Sequence, residues 1–117
     1  MPKTDRFSNK YSKMVANAIT PAKAEKSLAK VPEDKAFWSN DGRIIRDMKN
    51  LMEVLANMSD QNFAYHTNAS KKDFSKWVRE VLEDEKLATE LEGASNREQA
   101  AKAVEERHKF LLRQLGR

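Results

Sequence analysis

The chain predicts an all-α fold, a compact bundle of about five short helices behind a disordered basic N-terminal leader. Three observations carry that prediction. Apolar residues recur in several separate stretches at the i, i+3, i+4, i+7 spacing of one helix face. The period of two that marks a half-buried strand appears nowhere over a useful length, so no sheet is expected. Only three Gly and three Pro interrupt 117 residues, 39% of them hydrophobic and 34% charged, a composition suited to a soluble helical domain.

That length supports one domain with a modest core. The expected division is a flexible basic leader over residues 1–31 and a helical domain over 32–117. Net charge is +4, and its position matters more than its size. Residues 1–36 hold eight Lys/Arg against four Asp/Glu, whereas residues 37–117 hold fourteen of each. The leader therefore carries the whole excess, and a loose cationic arm suits phosphates or other anions. The chain has no cysteine, which excludes disulfides, thiolate zinc sites and Cys nucleophiles. No stretch approaches the ~18 consecutive apolar residues of a membrane span. The opening MPKTDRFSNKYSK lacks an apolar h-region, so no secretory signal is expected and the cytoplasm is the default compartment.

In the leader the apolar residues Phe7, Tyr11, Met14, Val15, Ile19, Leu28 and Val31 are scattered. Tyr11, Met14, Val15 and Ile19 space out as a turn or two of helix ahead of Pro21, too short to persist alone in water. Order is expected from about Val31. Pro32 suits a first helical position, Glu33 and Asp34 come next where the helix dipole favours acids, and Phe37 and Trp38 give that turn a reason to dock. Asn40, Asp41 and Gly42 form a turn signal, with Asn40 or Asp41 available to cap the next helix.

A first main helix is expected over about 42–57, with Ile44, Ile45, Met48, Leu51, Met52 and Leu55 on its apolar stripe. Its methionines suit core filling, or else an adaptable partner groove. Ser59 opens a short helix through about His66, with Asp60 in its first turn. Asn68 and Ser70 break the pattern and cap a helix over about 71–83, on which Phe74, Trp77, Val78, Val81 and Leu82 share a face. A further short helix over 84–92 carries Leu87, Ala88 and Leu91 inward, and Gly93 stands where a left-handed residue would end it. Ser95 and Glu98 match a capping box that starts the last helix. Ala100, Val104, Arg107 or His108, Leu111 and Leu115 then trace one face.

Three runs together resemble a small family of archaeal and bacterial helical domains of unknown function. They are FWSNDGRIIRDM (37–48), MSDQNFAYH (58–66) and KKDFSKWVREVLEDEKLA (71–88). The likeness spans about residues 37–112, and its signature is Phe63, His66, Asp73, Phe74, Trp77, Val78, Val81, Leu82, Asp84, Leu87 and Ala88. It implies a compact helical module without an assigned catalytic residue. Lys72 departs from the Asn of the pattern, which weakens an N-cap assignment at that position.

Candidate chemistry centres on the same stretch. His66 and Asp73 suit a hydrogen-bonded pair between two helices, acting either as an acid–base couple or as a buttress for the junction. The buttress is the better fit, because no nucleophile, oxyanion donor set or phosphate-binding Gly loop accompanies the pair. His66 and His108 are the only imidazoles, and neither an HExxH nor a calcium-loop pattern occurs, so neither a metal nor a cofactor is expected. The acids Glu83, Asp84 and Glu85 have the look of a solvated helix end. Trp77 either stacks on nucleic-acid bases or is buried with Phe74 and Val78, and its shared face favours burial. Lys71, Lys72, Lys76 and Arg79 form a candidate polyanion patch. The expected function is a non-enzymatic module that binds another protein through a helical surface. The alternative is a nucleic-acid-associated protein working through the leader and those four cations.

Overall fold

The computed structural model describes residues 19–117, and the apolar positions of the leader before Ile19 lie outside the described residues. Among the described residues there are six α-helices and a two-stranded antiparallel sheet: α1 Pro21–Leu28, β1 Phe37–Trp38, β2 Ile44–Ile45, α2 Met48–Asn57, α3 Asp60–His66, α4 Asp73–Trp77, α5 Glu85–Glu92 and α6 Arg97–Gln114. A 3-10 turn at Glu33–Lys35 precedes β1, and a π-helical turn at Val78–Leu82 continues α4. The fold is mostly helical but not strictly all-α.

The flexible leader expected through residue 31 is corrected from Pro21 onward. Thr20 Oγ1 accepts the Lys23 N–H at 3.2 Å, and Pro21 sits in the first turn, where its missing N–H is not needed. Eight residues are too few to hold a helix alone, so packing must supply the rest. Ala24 and Ser27, three apart on one face, are fully buried, and α1 lies against α6, while Arg117, beyond the end of α6, brings Nη2 to 3.3 Å from Glu25 Oε1. A small-residue face looks like a polar tail in sequence because its contribution lies in how closely it lets helices approach.

The second correction is the hairpin. Asn40, Asp41 and Gly42 do not cap a helix. They are the loop of a hairpin in which Gly42 N–H bonds the Ser39 carbonyl at 3.0 Å and Ser39 N–H bonds the Arg43 carbonyl at 2.8 Å. Gly42 has φ +91, so this is a three-residue loop closing with a left-handed glycine. Ile44 and Ile45 thereby leave the expected helix. Asp47 starts α2 instead, its carboxylate accepting the Asn50 N–H at 2.7 Å. Met48, Leu51, Val54 and Leu55 form the buried stripe of α2, whose main partner is α6.

The start of α6 moves one residue from the expected capping box. Asn96, not Ser95, accepts from the Gln99 N–H at 2.8 Å, and Gln99 Oε1 reaches back to the Ser95 N–H at 2.8 Å. Arg97 then bridges elements, donating to Asp60 and to the Leu55 carbonyl, both at 3.0 Å. On the buried face of α6, Ala100, Val104, Arg107 and Leu111 point inward.

His108, one position round from that face, is partly buried. Desolvation holds its pKa below the ordinary value; Asp47 pushes it up and Lys49 down by smaller amounts. The unfolded chain therefore takes up the proton more readily than the folded one. Stability present at neutral pH should fall as the pH drops through about 6.5, the unfolded-state value. Urea midpoints measured from about pH 8 to about 5.5 should show that decline in the wild type and a flatter profile in His108→Gln.

Gly93 also departs from expectation, ending α5 in right-handed geometry at φ −86. The left-handed position belongs to Glu83, at φ 58, where the π-helical turn ends and α5 begins. Such a conformation strains a residue with a Cβ by about 1 kcal/mol or more. Glu83→Gly should therefore be neutral or stabilising by up to about 1 kcal/mol, whereas Glu83→Val should destabilise. Equilibrium denaturation of the two variants checks the contrast.

Candidate functional site

The junction between α3 and α4 and the hairpin beside it form one construction. Ser59 caps α3 through the Asn62 N–H at 3.0 Å, which sets the helix phase so that Phe63 and His66 face inward. Beyond His66, Asn68 closes the turn: its carbonyl Oδ1 accepts the N–H groups of Ser70 and Lys71 at 2.9 and 3.1 Å. Lys72 gives α4 no side-chain cap, and Asp73 in its first turn faces back toward α3.

His66 Nδ1 lies 3.0 Å from Asp73 Oδ2, and Nε2 accepts the Asn40 backbone N–H at 3.0 Å. An imidazole nitrogen that accepts a hydrogen bond carries no proton, so Nδ1 carries it and donates to Asp73. Both ring nitrogens are thus committed, and the imidazole holds three segments together. Lys71 Nζ completes the charge balance at 3.3 Å from Asp73 Oδ2 while lying 4.1 Å over the Tyr65 ring. The nearby Ser75 hydroxyl is turned onto the Lys72 carbonyl at 3.1 Å. As a set, these groups position a backbone; they offer no unoccupied base next to a nucleophile.

Phe37 is the apolar centre of this construction. Its ring stacks on Phe74 at 4.9 Å and meets His66 and Trp77 edge-on at 5.1 and 6.1 Å. Trp77 is buried and donates its indole N–H to the Lys35 carbonyl at 2.8 Å.

Trp38 corrects the expectation that both aromatics of the Phe37–Trp38 pair dock. Adjacent residues of a strand point to opposite faces, so burying Phe37 turns Trp38 outward, and it is 60% exposed. Across the ribbon it opposes Ile44, also exposed, while Phe37 opposes the buried Ile45. Because Ser39 and Arg43 are hydrogen-bonded, alternation makes Trp38–Ile44 a non-hydrogen-bonded pair, in which side chains pack closest. The only trace of this in the sequence is the Asn40–Gly42 turn signal between two short apolar pairs, Phe37–Trp38 and Ile44–Ile45.

The four cations of the candidate polyanion patch are not equivalent. Arg79 is held by Glu85 at 2.8 Å and by Glu92 at 3.1 Å. Its pKa is raised, by Glu92 first and Glu85 next, and Glu92 in turn lies below the usual carboxylate range beside it. Lys71 is engaged with Asp73 and Tyr65. Only Lys72 and Lys76 have no ion-pair partner among the described residues. Those residues also contain no cluster of three or more His, Asp or Glu side chains able to hold a metal, and no helix long and apolar enough to cross a membrane.

No protein-family model, curated protein or solved structure matches the chain.

Proposed function

We propose that the chain is a non-enzymatic interaction module that binds another protein, presenting the Trp38–Ile44 pair of its hairpin to an apolar patch of the partner. The observation that carries this reading is the 60% exposure of Trp38 on a ribbon anchored from behind by Phe37 and at its tip by the Asn40–His66 bond. An exposed tryptophan held on a rigid support loses little freedom on binding, and tryptophan is prominent among residues that dominate interfaces. The surface differs from the helical one expected from sequence, because the apolar stripes of the helices are spent on the core. The likeness of the Phe63–Ala88 stretch to prokaryotic helical domains of unknown function, and a cytoplasmic location, belong to the same proposal.

The nucleic-acid alternative draws less support, since acids engage two of its four cations. Trp38→Glu separates the two readings. The substitution should change folding stability by no more than about 0.5 kcal/mol, because the side chain is exposed. It should also abolish retention of a protein partner captured from the native cell in the presence of nuclease. Self-association by sedimentation that disappears in the variant would identify the partner as a second copy. Capture that vanishes with nuclease, or that is indifferent to Trp38→Glu, would overturn the proposal.

A further inference from the structure

A separate cleft of about 680 Å³ opens where the N-termini of α1 and α5 converge, bordered by Thr20 and Lys23 on one side and by Glu85 and Lys86 on the other. Arg107 also lines it, with only 8% of its side chain exposed. Nε and Nη2 of Arg107 bond the two oxygens of Asp84 at 2.8 and 3.0 Å. A guanidinium has five N–H groups, and this side-on grip uses two. Among the described residues, Nη1 donates to no group, so a nearly buried arginine brings unused donors to the cleft.

The other charges around the cleft are mostly paired. Glu83 is paired with Lys26 at 3.4 Å and Glu85 with Arg79 at 2.8 Å, while Asp84 is neutralised by Arg107. That leaves Lys23, Lys86 and Glu90 without ion-pair partners among the described residues. Because Arg79 is shared between Glu85 and Glu92, the charges sum to zero, and what fits is selected by the donors that line the cleft rather than by net charge. Two helix N-termini add partial positive charge, and at the cleft the N–H groups of Glu85 and Lys86 are uncapped, because Asp84 satisfies only Leu87.

We propose that this cleft binds a small molecule through a single oxyanion group, phosphate or carboxylate, held by the free edge of Arg107 with Lys23 and Lys86 at the rim. Arginine is suited to the task because its planar donors match two oxygens at once. The Asp84 pair fixes the plane of the guanidinium before a ligand arrives. Glu90 limits the site to a low net charge.

The experiment is an amide and arginine side-chain NMR titration of the full chain. Inorganic phosphate and acetate are added in separate arms at constant ionic strength, with chloride as the control. Saturable shifts confined to Lys23, Glu85, Lys86 and the Arg107 side chain are expected, and the arm that saturates at lower concentration names the oxyanion. Combining Lys23→Gln with Lys86→Gln should weaken the response by about tenfold or more, whereas Lys30→Gln with Lys49→Gln should leave it unchanged. Shifts that fail to saturate, that chloride reproduces, or that survive loss of Lys23 and Lys86 would show an adventitious ion only and overturn the site. Nuclear Overhauser contacts from residues 1–18 to the cleft in the free protein would overturn it too, by making the chain itself the occupant.

Discussion

Replacing Arg107 with Met is expected to lower the unfolding free energy by about 3–5 kcal/mol, among the largest single-site losses in this chain. Asp84 is almost wholly inaccessible, its side chain 1% exposed. One of its oxygens accepts the Leu87 N–H at 3.1 Å at the head of α5, while both are gripped by Arg107. Removing the guanidinium leaves a carboxylate out of water with one neutral donor, and uncompensated burial rather than the lost attraction dominates the penalty. Asp84→Ala should be as damaging, since it strands the guanidinium and uncaps α5 together. Asp84→Asn keeps an acceptor for Leu87, so combined with Arg107→Met it removes both charges while preserving the cap. The double variant should then be more stable than the sum of the single losses predicts, by roughly 1–3 kcal/mol in a double-mutant cycle. Strictly additive losses would show that the two side chains stabilise the fold independently.

This pair is also where the sequence falls silent. Glu83, Asp84 and Glu85 are three acids in a row, which reads as a solvated helix end, and two of them do lie in solvent. The middle one is buried because the left-handed turn at Glu83 reverses the chain and aims Asp84 inward. Nothing in a run of like residues reports a backbone angle. Its partner is 23 residues away on a helix that also carries a local charge pair, Lys109 with Glu105 at 3.5 Å. The hairpin was hidden for a different reason, since strands of two residues are too short to display alternation. Their apolar pair Ile44–Ile45 also sits at helical spacing from Met48 and Leu51. By contrast, Phe63, His66, Asp73, Phe74 and Trp77 were legible as one structural unit. Local geometry sets their faces, and a turn of six residues from Thr67 to Lys72 leaves few ways to join the two helices. What the sequence concealed about that unit was its third member, the Asn40 N–H that occupies the remaining His66 nitrogen.

Trp77→Ala is the second large effect, an expected loss of about 3–5 kcal/mol out of a total that for small domains is about 5–15 kcal/mol. The indole is 7% exposed and does two separable things. Its ring fills the space beside Phe37, and its N–H holds the Lys35 carbonyl at 2.8 Å, fastening the 3-10 turn that leads the chain into β1. Truncation to Ala removes both and leaves a cavity under the hairpin. Trp77→Phe retains much of the ring and removes only the bond, so its loss should be about 1–2 kcal/mol. The two variants should differ in function as well as in degree. Phe37 is wedged among Phe74, His66 and Trp77, so emptying the Trp77 site loosens the support on which Trp38 is presented. Trp77→Ala should accordingly increase hydrogen exchange at Ser39, whose amide bonds the Arg43 carbonyl, more than at the amides of α6. Melting temperature, moving by roughly 4 °C per kcal/mol in a domain of this size, ranks the stabilities. Residue-resolved exchange decides whether the indole holds the hairpin in particular. Uniform acceleration across the chain would assign Trp77 to the general core and separate it from the presentation of Trp38.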